Sequence, residues 1–206
     1  MTTSIHQSDS EFHVHHDSDA AVGRRERLGV RLLIVADGSF LASMIFSYFY
    51  LRNLNNNNAW LPKGVNHFST ASAWMVAIPF IVVAIVHRFG TYDKHVRVIT
   101  SVVSVLVTLV GIVYQFHQMS HMPFMAHDDN GNSFFNGAYA TNWVLIAGAG
   151  MFHYLLTFFI ALGILIRTHT TNVSPELEVW RQKTAQSWFT WCAIAGVLTA
   201  ITLSII

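Results

Sequence analysis

Five stretches of this sequence run for about twenty residues or more with almost no charge, and that property decides most of what the chain can become. A bilayer core of ~30 Å is crossed by roughly 20 mostly apolar helical residues. The pattern predicts spans over about 29–52, 71–89, 96–118, 140–167 and 185–206. Pro79 interrupts the second and, lacking an N–H donor, is expected to kink it. The third is Val-rich and would read as a strand if it were shorter, so its length decides for a helix. Only 11% of the residues are charged, under half the about 25% of a soluble domain. Twelve Lys+Arg against eleven Asp+Glu leave a net charge of +1, which excludes the positive excess of a nucleic-acid binder. The expected fold is an all-α integral membrane five-helix bundle over 28–206, preceded by a polar His/Asp-rich tail over 1–27.

Basic residues orient the bundle. Arg24, Arg25, Arg27 and Arg31 precede or open span one. Arg88, Lys94 and Arg97 fill the second connection, and Arg167, Arg181 and Lys183 the fourth. The first and third connections hold only Lys63, with Arg52 at a span end. Ten of twelve cations thus share one side, which the positive-inside rule makes cytoplasmic. The N-terminus is expected inside and the C-terminus outside. Trp60, Trp74, Tyr92, Trp143 and Trp180 fall near the proposed interfaces, where amphipathic rings are favoured.

The tail lacks a basic start followed by an apolar core, so a cleaved signal peptide is not expected. Its cluster of His13, His15, His16 and Asp17 reads as a solvated segment before it reads as a metal site. The run from Asn55 to Asn58 reads as a loop. Asn172 opens a glycosylation sequon, but on the predicted cytoplasmic side. No internal repeat is visible, which counts against inverted-repeat transporters.

Asp37 is the only acid inside any span. Eight residues past Gly29, it lies roughly 12 Å along the helix. An acid at mid-membrane costs about 2.5–3.5 kcal/mol on insertion scales, so it faces protein, a partner or a water pocket. Two readings stand: a proton-linked, lipid-linked or gating carboxyl, or a hydrogen-bonding staple between helices. His153 is the only His well inside a span and reads as a hydrogen-bonded packing residue rather than a haem ligand. A di-haem cytochrome needs four axial His in its spans, and this chain lacks them. His117 and His121, four apart, could share a helical face suited to a metal, but no third ligand is evident. The one cysteine, Cys192, cannot form an internal disulfide. It begins a row with Gly196, Ala200 and Ser204 at successive i+4 positions, and span three carries Ser101, Ser104, Thr108 and Gly111. Small residues so placed let helices approach closely in lipid, whether the neighbour is this chain or another.

Several motifs recur in an order and spacing that resembles subunit III of the haem–copper oxidases, in its shorter five-helix bacterial form. The family's first retained helix has a Gly, an acid eight residues on, aromatics, an Arg and then a Trp-x-Pro loop. Gly29, Asp37, Phe40, Tyr48, Phe49 and Arg52 fall in that register, followed by Trp60, Leu61 and Pro62. Asp37 stands where the family usually has Glu. A Gln-x-x-Glu pair of the family is matched by Gln115 and Gln118, with Gln118 replacing the acid. The family's Ala-Tyr-Gly-Ser box, followed by Thr-Gly-Phe-His-Gly-Leu-His, is matched by Ala138, Tyr139, Ala140 and Thr141, then by Gly148 and His153. Gly150 replaces the first His of that run. The likeness covers about 29–167 and fades toward Trp188, Phe189, Thr190 and Trp191.

The resemblance implies a subunit with no haem or copper of its own, bound to the catalytic subunit I and other oxidase subunits. Haem and copper are expected in that partner, which reduces O₂ to water and pumps protons. It further implies bound phospholipid, support of proton uptake, assembly and O₂ access, and a place in a bacterial or archaeal cytoplasmic membrane. Asp37 and His153 would be the central intramembrane residues, with Gln118 and Tyr139 as neighbours and Cys192, Gly196 and Ala200 packing helices. An accessory subunit of a nitric oxide reductase and a small proton-coupled transporter using Asp37 are the alternatives. The missing second acid and first His weaken a two-carboxyl proton role more than a lipid or assembly role.

Overall fold

The computed structural model describes residues 18–205 except 56, 58, 63–65, 91–92, 124, 128–132, 136 and 171–173. The chain is carried by α1 (Asp19–Leu54), α2 (Thr70–Phe89), α3 (Lys94–Ser120), α4 (Ala138–Thr170) and α5 (Pro175–Ser204). All five are long and apolar enough to cross a membrane. The histidine-rich cluster at 13–17 and Asn172 of the sequon lie outside the described residues.

Two helices start well before the predicted spans. Ser18 caps α1, its Oγ accepting the Ala21 N–H at 3.3 Å. Ser174 caps α5 by accepting from Leu177 N–H at 3.2 Å, with Pro175 in the first turn, where its missing N–H costs nothing. The polar turns that follow are helical outside the apolar window, which is why hydropathy alone places these ends late. Pro79 lies inside α2, and the helix runs on through it. The α3–α4 connection holds a short antiparallel pair, β1 (Met125–His127) and β2 (Ser133–Phe135), in an otherwise helical protein.

Packing follows the order α1–α5–α2–α3–α4, with further α1·α4 and α4·α5 contacts closing the bundle. Its polarity is inverted relative to a water-soluble bundle. On α3 the buried face is Ser101, Ser104, Thr108, Gly111, Gln115 and Gln118, a strict alternation of three- and four-residue steps. Its outer face shows Ile99, Leu106, Val110, Val113 and Phe116. The hydroxyls of Ser104 and Thr108 are satisfied by carbonyls four residues back, at 2.7 and 2.6 Å, so they pass inside at little cost. Exposing this much aliphatic surface is stable only in an apolar solvent.

Small residues set the close approaches. A Cβ at Gly111 would lie 2.2 Å from Tyr154 of α4, whose hydroxyl bonds the Val76 carbonyl of α2. At the far end of α1, Tyr48, Trp60 and Tyr139 pack edge to face, with centroids 4.9–6.4 Å apart. Phe68 stacks on Trp143 at 4.3 Å. Trp60 and Trp143 therefore lie inside this end of the bundle instead of facing lipid. Gly137, at φ +93°, turns the chain there, where a Cβ would meet Pro62 and the Trp60 carbonyl.

Candidate functional site

Halfway along α1, Asp37 turns into the bundle with its side chain 12% exposed. One carboxylate oxygen, Oδ2, accepts from the Trp191 Nε1–H of α5 at 2.6 Å. The same oxygen lies 2.8 Å from His153 Nε2 of α4, which donates to it when Asp37 is ionised. That side chain is 7% exposed. Three helices thus meet on one oxygen atom. Gly38 makes room for the indole, since a Cβ there would lie 3.3 Å from the Trp191 ring. Phe80 and Trp188 enclose the imidazole, with centroids 6.5 and 5.8 Å away. Paired and hydrogen-bonded in this way, an acid–imidazole couple is tolerable at mid-membrane.

Beside His153 lies a cavity of about 40 Å³ lined from all five helices. Gln115, Gln118, Gly150, Ser72 and Phe80 are among its walls. Gln118 donates through Nε2 to the Ser72 carbonyl at 3.2 Å, tying α3 to α2. Gln115 is 2% exposed, and its Oε1 has no hydrogen-bond partner among the described residues.

Of the residues singled out in the sequence, Asp37 and His153 touch, and Gln118 shares the cavity with His153. Tyr139 does not join them. It anchors the bundle end, accepting the Phe68 N–H at 3.1 Å while its own N–H donates to the Trp60 carbonyl at 3.0 Å. The α5 row packs within this chain: Gly196 faces Phe80 and Ala77 of α2, Ala200 clusters with Ala73 and Ala77, and Cys192 Sγ accepts from Thr157 of α4 at 3.6 Å. Sequence reasoning passed over Trp191 and Gln115 as site residues. Trp191 carries no charge to mark it, and Gln115 entered only as the spacing partner of Gln118.

Two further features border this region. A groove of about 540 Å³ opens between α1, α4 and α5, with Gly29, Phe159 and Gly163 along it and Glu26, Arg167 and Arg181 among its walls. Arg181 pairs with Glu26 at 3.4 Å. His117 and His121 lie close, with ring centroids 4.3 Å apart, and are exposed. Among the described residues no group of three His, Cys, Asp or Glu side chains is placed to hold a metal ion.

Fold and site together define a multi-pass helical membrane protein whose acid and imidazole at mid-depth serve contacts between its own helices. No known family profile matches the chain, and no curated protein is significantly similar to it.

Proposed function

We propose that this chain is a non-redox subunit of a respiratory haem–copper oxidase, of the subunit III type, supporting assembly, lipid binding, proton uptake and O₂ access in a cytoplasmic membrane. The observation that carries this reading is the 2.8 Å contact between Asp37 and His153. These two residues lie 116 positions apart in the sequence, and both stand at positions of the motif register. Gln118 and Gly150, which also stand at motif positions, meet at the adjoining cavity. The groove lined by Arg167 and Arg181 suits a phospholipid, its phosphate at the guanidinium groups and an acyl chain along Phe159 and Gly163.

Mechanistically the chain's own part is to hold a protonatable pair away from bulk solvent and to keep three helices in register around it. Haem and copper chemistry would belong to the partner subunit. The test is affinity purification of the tagged chain from its native membrane in mild detergent. The expected result is co-purification of a larger haem-bearing polypeptide with O₂ reductase activity. Recovery of the chain without any haem protein would overturn the proposal. A co-purifying complex that reduces nitric oxide instead would move it to the nitric oxide reductase form.

A further inference from the structure

The cavity beside His153 combines two features that an apolar void lacks. Gln115 lines it with a carboxamide whose Oε1 has no hydrogen-bond partner among the described residues, on a side chain that is 2% exposed. His153, with Nε2 committed to Asp37, has Nδ1 left for a second hydrogen bond and lines the same space. Gln118, whose Nε2 donates to the Ser72 carbonyl, is a third polar residue of the lining. Gly150 opens the space: the nearest atom to a Cβ placed there is Gln115 Oε1, at 3.9 Å.

A buried water needs roughly 10–15 Å³ of such volume and two to four polar partners, whereas dry cavities are lined by apolar groups alone. At about 40 Å³ this cavity has room for about three waters. The Gln115 and Gln118 carboxamides and the second ring nitrogen of His153 are the polar partners the lining offers them. We infer that the cavity binds a small cluster of ordered water that links the Gln115 carboxamide to the His153 ring. The Asp37–His153 pair is then linked through hydrogen bonds to the Gln115 and Gln118 end of α3. The water is a structural ligand of this bundle whichever larger complex holds it, so its presence and the oxidase reading stand or fall on different results.

The experiment is water-edited solid-state NMR of the full-length, ¹⁵N-histidine-labelled protein in lipid bilayers, with His153 assigned by its loss in His153→Gln. Magnetisation from water is expected to reach the His153 ring nitrogens about as fast as it reaches exposed His121. Gly150→Leu, which fills the space, should slow that transfer at least fivefold, and Gly150→Ala should slow it less. If Gly150→Leu does not fold, Gly150→Ala and Gln115→Leu carry the same test, with a slowing of at least twofold expected in each. Two results would overturn the inference. One is transfer to native His153 that is no faster than in the filled variants. The other is saturable xenon uptake at this cavity, the behaviour of a dry apolar void.

Discussion

Three side chains on three helices converge on Asp37 Oδ2, and removing the acid in two ways separates its roles. Asparagine keeps an oxygen able to accept from Trp191 and His153 but not the charge. Alanine leaves the indole N–H and the imidazole N–H facing each other across a gap. Interhelical hydrogen bonds within a membrane average about 0.6 kcal/mol and reach about 1.7, while a buried polar group left unpaired costs about 1–3 kcal/mol. Asp37→Ala is therefore expected to destabilise the bundle by about 3 kcal/mol and Asp37→Asn by about 1. Unfolding in mixed detergent micelles measures both, and equal losses would show that the charge, not the hydrogen bonding, holds the site. At this scale the sequence is legible where chemistry is rare: a lone acid and a lone deep histidine stand out against apolar spans. Trp191 does not, because an indole belongs equally well to a lipid-facing surface. Only the rotation and depth of α5 relative to α1 bring its N–H to the carboxylate, and neither is written in one dimension.

Helix-to-helix contact in lipid depends on where backbones can approach, and two glycines of the bundle make opposite forecasts. A methyl at Gly111 would sit 2.2 Å from Cε1 of Tyr154, a ring held in place by its stacking on Phe80 at 4.0 Å and by its hydroxyl bond to the Val76 carbonyl. Tyr154 has nowhere to retreat. Overpacking of this kind costs about 1–3 kcal/mol, so Gly111→Ala should lower thermal stability in detergent despite a helix-propensity gain of up to about 1 kcal/mol. At Gly148 nothing lies within 4 Å of the added carbon, and the same substitution should leave stability unchanged or raise it. A destabilised Gly148→Ala alongside a tolerated Gly111→Ala would show that α3 and α4 do not meet at Gly111 and Tyr154. Elements were legible in the sequence to the extent that an apolar window defines them. The Ser18 and Ser174 caps extend α1 and α5 beyond that window, and both caps are readable once the helix is looked for outside the membrane. The strand pair of the α3–α4 connection had its own signal, Asn130 and Gly131 between two short segments, which the search for spans passed over.

Taken as a whole, the bundle gathers ten of its twelve Lys and Arg residues at one end: the starts of α1, α3 and α5 and the finishes of α2 and α4. Ion pairs join the elements there, Arg97 to Glu178 and Arg181 to Glu26, and Ser174 bonds Asp19 across the same end. These contacts would form identically with the molecule inverted in the membrane, so sidedness is not a property of the fold. It rests on charge bias alone, which acts during insertion. The protein is well suited to a direct test because its single cysteine, Cys192, is 1% exposed in the core and should stay silent toward a membrane-impermeant maleimide. Asn66→Cys places a thiol in the α1–α2 connection, and Glu176→Cys places one in the first turn of α5; both native residues are exposed. In intact spheroplasts Asn66→Cys should label and Glu176→Cys should not, and lysis should make both reactive. The reverse pattern would put the basic end outside, contrary to the rule that oriented it. It would leave the Asp37–His153 contact untouched while reversing which aqueous phase lies nearer the Gln118 end of α3. The labelling result therefore fixes which aqueous phase lies beyond each end of the bundle, independently of the contacts inside it.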